Sequence, residues 1–271
     1  GNQFRSSITM SGGTERSLLS ASLSYQKQNG TIPNTDYKNI SARINAQFKL
    51  SDKLRFSPSL YFINSGGFRI NADRYNESLT YWSPRWDVKD YRNEDGTMKS
   101  YGNSNPIYGT HTNRFKDDVY RMIGNAAFTY SPFKWLDIDY RLGVDYYSDF
   151  RRHAAPGPRG LADEIPYEDN ELGFVNEFNI QNRVINSNLI ATFKKDWTSK
   201  FNTILRVGTD SRDQRYTEVD ALGSELDVPD LLSINNTKIR TTQDSIGQYR
   251  IVSAFGDLTL SWDDYLFLTV T

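Results

Sequence analysis

Apolar and polar residues alternate along most of the chain. Every second residue from Ile40 to Leu50 is apolar, and the residues between them are polar. The same pattern returns from Leu136 to Tyr146, and weaker forms of it run through residues 54–62, 120–130, 185–193, 201–209 and 252–262. A period of two is the signature of a β-strand with two different faces, and no stretch shows helical spacing. The pattern predicts an all-β chain of about ten strands.

The connections between these strands alternate in length. Short turns are predicted at residues 12–15, 51–53, 131–134, 196–199 and 263–264, and longer loops at 29–37, 66–116, 151–181 and 216–246. In an antiparallel meander, this order places all the longer loops at one end of the sheet. Short turns at one end and long loops at the other are typical of outer-membrane β-barrels.

The predicted strands are also long, at ~10–15 residues, whereas soluble strands usually have ~5–6 and a tilted strand crosses a bilayer with ~9–11. The chain contains 17 Tyr, 15 Phe and 5 Trp, many of them beside the short turns. Such placement is typical of an interfacial aromatic girdle. The alternative is a soluble β-sandwich with these rings in its core, which accounts for neither the strand length nor the one-sided loops.

Composition narrows the function classes. The absence of cysteine excludes disulfides, thiolate metal sites and thiol nucleophiles. A net charge of −1 argues against a nucleic-acid partner. The mean hydropathy is −0.64, and no apolar run approaches the ~18 residues of a spanning helix. A transmembrane barrel is compatible with the low mean hydropathy and with the lack of a long apolar run, because half of each strand then faces a wet interior.

The alternation also predicts which side chains face the interior. Arg43 or Lys49 in contact with lipid would cost ~2–4 kcal/mol, so the polar rows are expected to face the lumen and the apolar rows the outer-membrane lipid. The predicted lumen-facing residues are Arg43, Asn45, Gln47, Lys49, Asp137, Asp139, Arg141 and Asp145.

Several segments resemble a known family. Residues 8–16 (ITMSGGTER), 21–25 (ASLSY), 29–38 (NGTIPNTDYK) and 43–45 (RIN) are similar to the first barrel strands of SusC/RagA-type TonB-linked outer-membrane proteins, and residues 255–266 to a later hairpin. The chain also stops within a strand-like segment, residues 265–271. Residues 1–271 are therefore expected to be one segment of a larger barrel domain.

The resemblance implies an antiparallel transmembrane β-barrel of about 22 strands around an N-terminal plug. It further implies import of glycan or peptide pieces through the outer membrane of a Gram-negative bacterium, with energy from TonB and a SusD-like surface lipoprotein as a lid. This chain would supply about the first ten strands. The plug, the TonB box and the last strand have no counterpart in it.

The first long loop is rich in residues suited to binding. They are Tyr81, Trp82, Arg85, Trp86, Tyr91, Tyr101 and Tyr108. Aromatic rings beside polar groups suit sugar faces and peptide backbones, so these residues are the predicted substrate-binding set. The alternative is that the rings pack the loop against itself, the plug or a lid.

Other functions receive less support. A passive porin or an adhesin-like barrel is the main alternative to an energised importer. An outer-membrane hydrolase would need His153 with Asp149, or His111 with Asp117 or Asp118, and loop histidines near acids are common by chance. No enzymatic activity is therefore predicted. The acidic residues 162–171 offer carboxylates for calcium but no EF-hand spacing, so no cofactor is predicted.

Overall fold

One antiparallel sheet contains nearly all the regular structure. The computed structural model describes residues 1–157, 172–263 and 265–271. Its ten strands pair in chain order, β1 to β10, so β1 and β10 are the two edges of an open meander. The strands are β1 Gln3–Gly13, β2 Ser17–Asn29, β3 Asp36–Lys49, β4 Leu54–Arg69, β5 Arg114–Phe133, β6 Leu136–Ala155, β7 Phe174–Asp196, β8 Phe201–Leu226, β9 Thr237–Trp262 and β10 Leu266–Val270. The helices are α1 Ala72–Tyr81, α2 Pro106–Thr112 and a 3₁₀ turn Ile234–Asn236.

The strand register carries the alternation across the whole sheet. Ile44 lies between Ala21 and Leu60, whereas Asn45 lies between Ser20 and Ser59. Because neighbouring residues of a strand point to opposite sides, these pairings divide the sheet into two surfaces. We call the side that carries Ile44 the apolar face and the side that carries Asn45 the polar face.

The apolar face has no second layer packed on it. The described residues form one sheet, so the β-sandwich alternative is wrong. Ile44, Leu60 and Leu189 are 48%, 44% and 44% exposed. A continuous apolar surface of this extent on a water-soluble monomer would be unusual and marks a surface that contacts lipid or another apolar partner.

The dimensions of the apolar face match a bilayer. The alternating apolar side chains of β6 run from Leu136 to Tyr146, a rise of ~33 Å along the strand at ~3.3 Å per residue. A strand tilt of ~40° reduces this to ~25 Å, the height of the apolar band of outer-membrane barrels.

Aromatic side chains lie toward both ends of this band. Phe56 and Phe128 stack with ring centroids 4.5 Å apart near the short turns. At the opposite edge, Phe62 lies 6.5 Å from Tyr120. The sequence predicts the first row, and the second becomes apparent only when strands far apart in sequence are placed side by side.

Three of the predicted long loops are shorter than expected. β4 continues to Arg69, β6 to Ala155, and β8 and β9 form a hairpin closed by residues 227–236. β8 has 26 residues, a length of ~85 Å. Beyond a bilayer both faces of a strand are wet, so the alternation fades from the sequence while backbone pairing continues.

The placement of turns and loops follows the prediction. Short turns occupy one end of the meander and the longer connections the other. The predicted turn at 131–134 differs, because β5 extends to Phe133. The β3–β4 ladder is interrupted at Ala46 and Gln47. The facing residues of β4 are Pro58 and Ser57, and a proline has no N–H to donate to the ladder.

A small core lies at the long-loop end. Ala154, Val175 and Leu226 are buried together, and Leu232 and Ile234 pack on them. Asn236 ties the β8–β9 connection by donating to Val228 O and Leu231 O, both at 2.8 Å. Among the described residues, no helix has the length and hydropathy to span a membrane.

Candidate functional site on the polar face and at the long-loop end

The eight residues predicted to face the lumen lie on one surface. Arg43, Asn45, Gln47 and Lys49 alternate along the polar face of β3, and Asp137, Asp139, Arg141 and Asp145 along that of β6. The register of the intervening β4 and β5 keeps both sets on the same side of the sheet. The structure thus joins into one surface two sets that are about 90 residues apart in sequence.

The charges of this surface are largely paired across strands. Lys194 binds Asp137 at 2.6 Å, and Arg121 binds Asp145 through two hydrogen bonds of 2.9 and 2.6 Å. Thr129 donates to Asp139 at 2.7 Å. Arg43 lies over the Tyr61 ring, 4.3 Å from its centroid. The carboxylates of Asp137 and Asp145 are thus balanced by cations of neighbouring strands.

A second group of charges continues the polar face toward the long loops. Arg69 holds Asp117 through two hydrogen bonds of 2.8 and 3.0 Å, and Arg151 holds Asp149 at 2.7 Å. Asp117 and Asp149 are both buried in the sheet. This group was not predicted, because Arg69 and Arg151 fall in segments without clear alternation, which were expected to be loops.

The first long loop, residues 70–113, packs on itself. Trp86 stacks on Tyr101 at 4.1 Å and 5°, and Trp82 meets the same Tyr101 ring edge-on at 5.8 Å. Trp82 also donates its indole N–H to Trp86 O at 3.0 Å and is only 9% exposed. Arg85 lies over the Trp86 ring at 5.2 Å. Trp82 and Tyr101 therefore pack the loop against itself, as the alternative to substrate binding predicts.

The loop still presents part of the predicted binding set. Tyr81 is 66% exposed at the end of α1, and Arg85 and Trp86, four and five residues further along the chain, are also exposed. Tyr91 stacks on His111 at 4.7 Å, and Tyr108 is half-buried in α2. The solvent-facing members of the set are thus Tyr81, Arg85 and Trp86, which we call the loop aromatic patch.

Asn105 organises the loop from its interior. Its side-chain oxygen accepts hydrogen bonds from the backbone N–H groups of Ile107 at 2.9 Å and Tyr108 at 3.4 Å, which caps α2. Its amide donates to Val88 O at 3.0 Å, and the residue is fully buried. A second asparagine of the loop, Asn103, is exposed and donates a hydrogen bond to Tyr81 O at 3.0 Å.

Solved structures resemble this arrangement, whereas no protein-family model and no curated protein matches the sequence. A chain of the RagAB peptide transporter aligns with 98% of this chain at 16% identity and a TM-score of 0.77. The RagAB peptide importer in its open-open state gives the same three values. P. aeruginosa FpvA bound to heterologous pyoverdines aligns with 95% at 11% identity and a TM-score of 0.56.

The chain has the fold of a β-barrel segment from a TonB-dependent transporter. It spans 31%, 30% and 35% of the three solved chains, about a third of their length. The fold-class prediction is confirmed, including its partial character.

Among the described residues, the three acids of the hydrolase alternative and His153 each bond to a residue outside the proposed histidine–acid pairs. Asp117 and Asp149 are held by arginines, and Asp118 accepts from Asn64 at 2.9 Å. His153 bonds the Asn113 side chain at 2.6 Å. No group of metal-ligating side chains is assembled within the described parts of the chain, and the acidic residues 162–171 lie outside them.

The environment of His111 predicts a pH dependence of the first long loop. Burial against the loop lowers the pKa of His111 below its ordinary 6.5, and the charges of Arg114 and Arg92 lower it further. The unfolded loop therefore takes up a proton first, so loop stability is highest above pH 6.5 and falls as the pH drops toward the folded pKa.

A histidine NMR titration of the full-length protein measures this pKa, with His111→Gln to assign the signal. The same variant is expected to reduce the increase in loop proteolysis on acidification. A midpoint at or above the ordinary value would contradict the assignment.

Proposed function

We propose that the chain forms part of the wall and of the outer entrance of an outer-membrane importer. One observation carries the proposal: a single sheet with one exposed apolar face of bilayer height, one ion-paired polar face, and every longer loop at the same end. In this proposal the apolar face contacts outer-membrane lipid, and the polar face lines the solute path. Residues 1–271 are one segment of a barrel domain whose plug and other strands belong to the rest of the protein.

The proposed cargo is peptide or glycan, and peptide is the first class to test. Two of the matching solved structures are described as a peptide transporter and a peptide importer. The loop aromatic patch supports either cargo, because exposed rings beside a guanidinium suit both sugar faces and peptide backbones. TonB and a SusD-like surface lipoprotein are the proposed partners, the first through regions outside this chain.

The mechanism that we propose divides the work between the two surfaces. The loop aromatic patch captures solute at the long-loop end, where a lid lipoprotein would dock. The paired charges of the polar face then offer hydrogen-bond donors and acceptors along the wall without a net field that would trap a charged solute. The long extramembrane parts of β7–β9 extend this wall beyond the bilayer.

Replacing Tyr81 by alanine tests the capture step. We expect the half-saturating concentration for uptake of a protein digest to rise about five- to tenfold, since the loss of one exposed ring contact costs ~1–1.4 kcal/mol. Uptake is measured in cells that produce the full-length protein. Tyr81→Phe is the matched control, because it keeps the ring, and should transport like the wild type. Equal uptake by all three proteins would argue against this role.

The same cells distinguish an energised importer from a passive porin. Deletion of TonB should abolish uptake of the digest by an importer and leave that by a porin unchanged. Cells that take up an oligosaccharide mixture but not the digest would assign the glycan class instead.

A further inference from the structure

Three arginines lie together on the apolar face, at the edge where its apolar band ends. They are Arg183 of β7, Arg215 of β8 and Arg250 of β9. Arg183 is directly opposite Arg215, and Arg250 is directly opposite Asp213. Toward the short turns, the next row on this face contains Ser187, Ser211 and Val252, and the band continues from there with Leu189 and Val207. We call the three arginines and Asp213 the arginine patch.

The arginine patch contains more positive charge than its single carboxylate balances. Arg250 donates twice to one oxygen of Asp213, at 2.7 and 2.9 Å, and Arg183 lies 3.5 Å from the other oxygen. Arg215 forms no ion pair with any residue that the structure describes. Like charges directly opposite on neighbouring strands are destabilising, so the Arg183–Arg215 pair favours an anion between them.

The patch is accessible and rich in hydrogen-bond donors. The side chains of Arg183 and Arg250 are 46% and 65% exposed, whereas Asp213 is only 15% exposed. Tyr146 pairs with Arg183, and Gln248 pairs with Arg215. One row across four strands therefore carries a hydroxyl, two guanidiniums and an amide on the same face.

Beyond the arginine patch, the charges of this face are of both signs. Farther toward the long loops, the same face carries Asp118 and Asp244, and the next row carries Lys116, Arg152 and Glu177. Positive and negative charges are mixed there, and Arg152 lies 3.3 Å from Glu177. The arginine patch thus lies where the apolar residues of β7–β9 give way to charged ones.

We propose that the arginine patch binds the phosphate of an outer-leaflet lipid. This inference rests on the proposed function, since it needs the apolar face to contact a bilayer. A guanidinium matches a phosphate with two parallel hydrogen bonds, and such bonds are strong where water is partly excluded. A lipid accounts for the position better than free phosphate does, because its acyl chains would cover the apolar band directly below its headgroup.

Native mass spectrometry of the full-length protein in detergent tests the proposal. The probes are lipid A, which is a phosphorylated glucosamine disaccharide lipid, its dephosphorylated form, and inorganic phosphate. We expect Arg215→Gln to weaken lipid A binding about tenfold, as expected for loss of one charge-assisted contact. Arg215 is chosen because its removal leaves no carboxylate without a partner.

Arg212→Gln is the matched control. Arg212 is exposed on the same strand but lies on the polar face, so its loss should leave lipid A binding unchanged. The proposal is overturned if wild type and Arg215→Gln bind lipid A equally, if the dephosphorylated lipid binds as well as lipid A, or if inorganic phosphate binds as tightly. A dimer that only Arg215→Gln dissociates would also overturn it and assign the patch to a protein contact.

Cell fractionation separates this proposal from the proposed function. If the wild-type protein does not fractionate with the outer membrane, both fail. If it does and also imports solute, while Arg215→Gln retains lipid A like the wild type, only the lipid site fails.

Discussion

Ile44→Arg is expected to lower the unfolding free energy of the full-length protein in lipid vesicles by ~2–4 kcal/mol, the cost of an arginine on the lipid side near mid-bilayer. Ile44 is the third of the six alternating apolar residues from Ile40 to Leu50. It lies between Ala21 and Leu60 and is 48% exposed in the sheet. In water an arginine at such an exposed position would cost little. The large expected penalty therefore comes from the lipid.

The neighbouring substitution Asn45→Arg is the matched control. Asn45 points to the polar face, between Ser20 and Ser59, so an arginine there stays hydrated and should change the unfolding free energy by less than ~0.5 kcal/mol. The folded fraction is read across a urea series from the gel mobility of unheated samples. Similar losses for both variants would show that the apolar face does not contact lipid.

Asn105→Ala is the second change with a large expected effect. It removes the cap of α2 and the hydrogen bond to Val88 O, and it leaves buried backbone groups without partners. Such losses cost ~1–3 kcal/mol for the unsatisfied groups and ~1 kcal/mol for the cap. We expect the first long loop to be cleaved about 30- to 100-fold faster by a protease, because cleavage follows the population of the opened loop.

Asn103→Ala is the control for this change. Asn103 makes one hydrogen bond, to Tyr81 O, from an exposed position, so its removal should alter the cleavage rate only a few-fold. Rates are compared on the full-length protein in detergent, with the cut located by mass spectrometry. If both variants were cleaved at the wild-type rate, Asn105 would not organise the loop.

Much of the fold was predictable because it rests on a period of two. A shift of one residue would move Ile44 and its whole strand face to the other side, so the alternation determines which residues share a face. Arg43, Asn45, Asp137 and Asp145 were placed on one surface for this reason. The short turns were also predictable, since they interrupt the alternation.

The candidate site was predictable only in part. Tyr81 and Arg85 are exposed, and their role in binding stays a prediction. The packing of Trp82 against Tyr101 joins residues 19 positions apart and could not be read from the sequence. The ion pairs of Arg69 with Asp117 and of Arg151 with Asp149 were missed, because these strands continue where both faces are wet. Asn105 looked like any loop asparagine.

The order of residues is enough to make the chain all-β, to give its strands one apolar and one polar face, and to put its longer connections at one end. These are local properties, since each follows from the order of neighbouring residues. Three features depend instead on the folded chain: where the strands end beyond the band, how the first long loop packs, and which distant charges become neighbours. Arg183, Arg215 and Arg250 are unremarkable in sequence. They form a patch only because strand register places them side by side, and register depends on the pairing of the whole sheet.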